Sequence, residues 1–251
     1  MWSWRPYQSV ADRKIKAEKT ISKMQKKGKK LNPVRIESRK IATSFWGNAW
    51  CKHLESLSDY VTSLPRGRSY VRHGAVIDLV VQGGKIKALV LGSEVYNVSI
   101  SITKVDQTKW SAILKKCSGS IASVIELLQG KFASAVMKTI TDQQNGLFPL
   151  EKEISFKCDC YDWASMCKHI AAALYGIGAR LDVEPELIFI LRQVNHMELL
   201  HSVTYQTEMI GPAKSKVIDN QDLSDLFGID IDERSFKPTP IKTKLKPKIK
   251  K

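Results

Sequence analysis

Several things are missing from this sequence, and each absence excludes a class of protein. No uninterrupted apolar run reaches about 18 residues, so no membrane-spanning helix is expected. The opening residues MWSWRPYQSVADRK contain no apolar stretch of the secretory type, which points to a reducing, cytoplasmic setting. Catalytic motifs are absent too. There is no Gly-rich loop closing on Gly-Lys-Ser/Thr, no serine elbow, and no acid cluster beside a histidine. The expectation is a non-enzymatic protein without a small-molecule substrate. No internal repeat occurs. Cysteine is scarce, with five in 251 residues, and so is histidine, also five.

Positive charge is abundant, but it is unevenly placed. The chain carries +15 overall. Residues 1–40 hold 13 Lys/Arg against 3 Asp/Glu, a balance of +10, and residues 236–251 hold 7 against 0, or +7. Residues 41–150 contribute 12 against 7, or +5, and residues 151–235 hold 8 against 15, or −7. A polyanion is drawn to the two ends, so nucleic acid is the expected partner, with DNA favoured and nucleoid association compatible. Lys26, Lys27, Lys29 and Lys30 are the densest lysine run near the N-terminus.

Periodicity divides the chain. Ala17, Ile21 and Met24 make a thin apolar stripe on a helix over 11–27, stopped at Gly28. A second helix begins at Thr43 or Ser44, with Trp46, Trp50 and Leu54 at successive i+4 steps facing a core. From Arg68 the period shortens, and RSYVRHGAVIDLVVQGGKIKALVLGSEVYNVSISITKV reads as an antiparallel meander. Helical spacing returns over 106–145, and a boundary is expected near 146.

The scarce cysteines are concentrated in one place. KCDCYDWASMCKH, Lys157–His169, holds three of the five. EISFKC alternates as a strand does, so Cys158 and Cys160 share a face. HIAAALYGIGARL is helical, which places Cys167 and His169 at the helix start. Three thiolates and an imidazole suit tetrahedral Zn²⁺, and four protein ligands leave no open position, so the ion's role is structural. Unliganded thiols explain neither the spacing nor the change from strand to helix, and the Cys-x-x-Cys of a thioredoxin-like redox site is absent. Zn²⁺ with three thiolates and a neutral imidazole is net −1, which Lys157 and Lys168 offset locally.

The pattern Cys-x-Cys, a gap, Cys-x-His and an apolar helix resembles the SWIM zinc finger. The stretch GLFPLEKEISFKCDCYDWASMCKHIAAALYGIGARLDVEPELIFILR, with PYQSVADR, FWGNAWCKHLE, LPRGRSYVRHGAVIDLVVQGGKIKALVLGS and LFGIDID, is similar to bacterial SWIM-finger proteins often encoded beside Swi/Snf-type helicase-like ATPases. The resemblance spans roughly residues 5–232. It implies a β-hairpin plus helix liganding zinc through Cys158, Cys160, Cys167 and His169, with DNA or protein as the partner. An adaptor for such an ATPase is the alternative function.

The expected architecture is α+β, an N-terminal antiparallel β-meander with helices followed by a small ββα SWIM-type finger and a disordered basic tail. In chain order it runs from a basic helical arm, 1–40, to an α+β domain, 41–146, and the finger with following helices, 147–200. A linker with a short acidic amphipathic helix, 201–235, and a Lys/Pro-rich tail, 236–251, complete it. Arg66, Arg68 and Arg72, interleaved by Tyr70 at a strand start, suit phosphate contacts and base stacking, or else a solvated turn or pairing with Asp59 or Asp78. Leu223, Leu226 and Phe227 form one apolar face, for a partner groove or for packing on its own domain. Trp-Cys-Lys-His at 50–53 imitates the second half of the finger, but Cys51 and His53 fall mid-helix, on opposite sides. Cys117 reads as a plain thiol.

Overall fold

Serine and aspartate start the helices where the sequence supplies them. In the computed structural model, which describes residues 9–57, 60, 62–118, 124–131 and 134–201, helix α1 spans Val10–Lys26. Ser9 caps it: its hydroxyl accepts from the Asp12 amide at 3.1 Å, and the Asp12 carboxylate accepts from the Ser9 amide at 3.1 Å. Helix α2, Phe45–Glu55, starts at Ser44, whose hydroxyl accepts from the Gly47 amide. Helix α3 spans Ser63–Arg72. Then come β1 Val76–Gln82, β2 Lys85–Leu91 and β3 Val95–Ile102, followed by α4 Gln107–Cys117, α5 Val124–Gln129 and α6 Ser134–Ile140. A 3₁₀ turn, Glu151–Glu153, leads into β4 Ile154–Cys158, then α7 Lys168–Arg180, α8 Leu187–Arg192 and α9 Glu198–His201.

The four strands form one antiparallel sheet in the order β1-β2-β3-β4. Its inner face is apolar across all four strands, with Val76, Leu79, Ile86, Ala88, Val90, Val98, Ile100, Ile102 and Ile154 in the main core. A bulge between Val76 and Asp78 lets both Val76 and Leu79 face inward, although they lie three residues apart. The displaced Ile77 turns to the outer face. There it meets Ala17 and Ile21 of α1, with Leu91 beside them. Within the basic arm expected over 1–40, helix α1 is therefore docked along the back of the sheet through its thin stripe. Asn32–Val34 extends the β1 edge, with the Leu79 amide donating to Asn32 O at 3.0 Å and the Val34 amide to Val76 O at 3.0 Å.

Helix α7 is the centre of the fold. Every residue from His169 to Gly178 is buried. Trp50 Nε1 donates to Leu174 O at 2.8 Å, so α2 is fastened to it by a buried hydrogen bond. Close approach to α7 needs glycine on both sides. A Cβ at Gly67 of α3 would overlap Ala171, and one at Gly178 would lie 2.7 Å from Cys51 Sγ. Asp182, just past α7, takes the amides of Thr43 and Ser44 at 2.6 and 2.9 Å and both their hydroxyls at 2.9 and 2.7 Å. Burial raises the Asp182 carboxyl, but the donors from Ser44 and Thr43 outweigh it and hold it below its usual range.

Two expectations are corrected. Residues 66–72 form a helix, not a strand start, because Gly67 lets α3 lie against α7 and Leu64 and Val71 bury on one side. The boundary near 146 does not divide the described core. Strand β4 completes the sheet begun by residues 76–102, and α7 packs under that same sheet, within one compact unit. The physical reason is the edge of β3, whose amides and carbonyls need a partner. Buried Arg192 strengthens the join: it donates to Thr103 O at 2.9 Å and to Glu153 Oε1 at 3.0 Å. No described helix is long and apolar enough to cross a membrane.

Candidate metal centre

The four predicted ligands come together from two elements and the loop between them. Cys158 ends β4, opposite Val98 of β3, and so points to the inner face with Phe156 and Ile154. Cys160 lies two residues on, in the loop. Cys167 occupies the position before α7 in an extended conformation, φ −83° and ψ 168°, and its carbonyl already accepts the first helical bond, from the Ala171 amide at 3.0 Å. A cysteine here makes no side-chain cap. Its sulfur instead turns toward His169, in the first turn of the helix.

One donor atom from each of the four residues falls within 4.8 Å of all the others. Nδ1 of His169 lies 3.9 Å from both Cys158 Sγ and Cys167 Sγ. The edges of an ideal zinc tetrahedron are about 3.6 Å for S···N and about 3.8 Å for S···S, from bond lengths of about 2.3 and 2.05 Å. The residues thus fit a zinc ion in donor type, number and spacing. Burial pushes the Cys158 and Cys167 thiols up and takes the His169 imidazole down to about 4. Two of the thiols therefore resist ionisation in this setting, and a divalent cation is what would draw off their protons. Zinc bound here would supply cross-linking charge and no open coordination position.

Sequence reasoning missed what holds the imidazole. The His169 ring stacks on Tyr96 of β3, with centroids 4.2 Å apart and planes at 23°, and meets the edge of Tyr70 of α3 at 5.5 Å. Its Nε2 is buried without a hydrogen-bond partner among the described residues. A side chain at Gly92 would press on that nitrogen, since an added Cβ would lie 3.0 Å from it. Metal-bound histidines usually donate their second N–H; here two aromatic rings and a glycine backbone fix the ring instead. A Gly-Ser-Glu turn before an aromatic-bearing strand was the only signal available. The second strand beside the four residues is β3 of the meander, so residues 147–200 bring only β4 and α7 to the centre.

The other candidates separate. Arg68 turns inward: it donates to Glu55 Oε1 at 2.8 Å and to the Tyr175 hydroxyl at 3.2 Å. Tyr70 packs against His169 at the candidate centre and is not an open stacking platform. Arg66 and Arg72 are exposed, as are Lys26, Lys27, Lys29 and Lys30. Leu223, Leu226 and Phe227 and the tail from Phe236 lie outside the described residues. Cys51 and His53 diverge. Cys51 lies against Gly178, while His53 Nε2 sits 2.8 Å from Pro149 O and its imidazole is pushed down by burial. Cys117 is buried, and burial raises it to about 11.

No protein-family model matches the chain, and no solved structure matches it. A protein of Mycobacterium tuberculosis (strain ATCC 25618 / H37Rv), called Uncharacterized protein Rv2102, is 31% identical to it over 163 residues, 64% of this chain. The matched part spans 58% of that relative's length.

Proposed function

We propose that this chain is a non-enzymatic, cytoplasmic accessory protein of nucleic acid, DNA favoured, in which a SWIM-type centre of Cys158, Cys160, Cys167 and His169 holds a structural Zn²⁺. The observation that carries the reading is the lysine face of α1. Ala17 and Ile21 bury against the sheet and hold the helix in place. Lys14, Lys19, Lys23, Lys26 and Lys27 are exposed, and no salt bridge among the described residues engages them. The acids of α1 are taken elsewhere, Glu18 by Arg35 at 3.1 Å and Asp12 by Ser9. A row of unpaired cations on a fixed helix neutralises phosphates without reading bases.

The test is a salt titration of duplex DNA binding. Each lost phosphate contact lowers the slope of log K against log salt by about 0.9, so replacing Lys14, Lys19, Lys23, Lys26 and Lys27 by Gln should flatten it by up to about 4.5. An unchanged slope removes this surface from the account. The second reading, an adaptor for a Swi/Snf-type ATPase, draws support from the acidic balance of residues 151–235, 15 Asp/Glu against 8 Lys/Arg. Co-purification with such an ATPase tests it.

A further inference from the structure

The loop between the second and third metal ligands does something the centre itself does not require. It buries Met166, 1% exposed, beside Cys167, yet it leaves Tyr161 90% exposed and Trp163 101% exposed. These are the two most exposed large apolar side chains among the described residues. A loop needed only to close a metal site has no use for two aromatic rings in water, where neither contributes to the core. The loop is also well framed. The Asp159 carboxylate takes the Asn97 amide at 2.8 Å and its side-chain Nδ2 at 2.6 Å, and Asp162 Oδ1 accepts from the Ala164 amide at 3.2 Å. The rings are held out by a structured turn.

We propose that the Tyr161-Asp162-Trp163 tip is a docking site for a Lys/Arg-rich protein segment. The charges nearest the rings in sequence are carboxylates, Asp162 between them and Asp159 just before, while Lys157 and Lys168 lie further off, at the two ends of the segment. The aromatic faces are themselves negative, so a guanidinium or ammonium gains from ring and carboxylate together. A nucleic acid would bring phosphates against the same two carboxylates. Tryptophan and tyrosine on a rigid turn are also the side chains that most often dominate binding at protein interfaces. The inference deepens the adaptor reading by giving the chemistry of the partner's surface, and it does not depend on α1.

The probe is a deca-arginine peptide, titrated into the zinc-loaded full chain, with deca-glutamate and a short oligothymidylate as comparators. Tryptophan emission under acrylamide quenching and calorimetric affinity are read together. With the chain at +15 overall, a polycation has few places to bind, and the tip is expected to be one. Deca-arginine should shield the quencher-accessible component that Trp163 contributes. Trp163→Ala should remove that component and weaken binding about fivefold, and Tyr161→Ala about twofold. Zinc content and melting temperature should be unchanged in both variants, because the side chains touch nothing that the fold needs. Absence of deca-arginine binding, or equal affinity in Trp163→Ala, overturns the proposal. So does stronger shielding by oligothymidylate, which would give the tip to nucleic acid. Failure to co-purify with a helicase-like ATPase would count against the adaptor reading alone and leaves the peptide result to stand by itself.

Discussion

The chain contains the tripeptide Cys-Lys-His twice, at 51–53 and at 167–169, and the two copies have opposite fates. In α2 the residues are interior to the helix, where two steps of about 100° each send Cys51 and His53 to different sides. One meets Gly178 and the other the Pro149 carbonyl. At the start of α7 the cysteine is still extended, so its sulfur and the His169 imidazole turn to the same point, 3.9 Å apart. The same three residues give a packing contact in one place and half of a candidate metal centre in the other. Position relative to the helix N-terminus makes the difference, together with the strand that brings Cys158 alongside.

The strongest way to break the comparison is to remove one sulfur from each copy. Cys167→Ser should abolish stoichiometric zinc and, with it, apparent folding free energy on the order of 10 kcal/mol. Cys51→Ser should leave zinc content at the native level. Metal analysis by mass spectrometry beside thermal melts reads both. Equal zinc in the two variants would remove the distinction drawn between them.

A smaller effect tests Cys51 as packing. Gly178→Ala should cost about 1–3 kcal/mol in urea unfolding, from overlap with the Cys51 sulfur. Adding Cys51→Ala should recover part of that loss, and a purely additive double variant would place the strain elsewhere. Asp182→Ala, which strips four hydrogen bonds from the start of α2, should cost about 1–3 kcal/mol. Because the native Asp182 carboxyl lies below its usual range, its contribution is present above the unfolded value of about 3.9 and is lost as pH falls through the native one.

The smallest effect belongs to His53. Its native imidazole is held below its ordinary value by burial, so the unfolded chain binds the extra proton first as pH falls. Stability should be level above about pH 6.5 and decline below it. His53→Gln, which can still donate to the Pro149 carbonyl, should flatten that decline when unfolding midpoints are compared across pH. An identical pH profile in the variant would rule His53 out as its source.

Much of this was readable beforehand. The alternation of Val98, Ile100 and Ile102 marked β3, and the Trp46, Trp50, Leu54 spacing marked the buried side of α2. Helix α3 was hidden because Pro65, Gly67, Tyr70 and Val71 weaken local helical preference, and only contact with α7 makes the glycine an advantage. The β1 bulge was hidden for a similar reason, since Ile77, Leu79 and Val81 in one phase and Val76 and Val80 in the other are all apolar, and the cover on both faces selects between them.

By itself the sequence determined the candidate cluster, because the donor chemistry and spacing of Cys158, Cys160, Cys167 and His169 are local properties of a strand, a short loop and a helix start. It also determined where basic charge is densest. Tertiary structure alone decided that the metal segment is the fourth strand and central helix of one core, and that Tyr96 and Tyr70 clasp the histidine. It also decided that Trp163 faces water. Those outcomes depend on which surfaces meet, and a sheet edge or a glycine gap acquires its partner only when distant parts of the chain pack together.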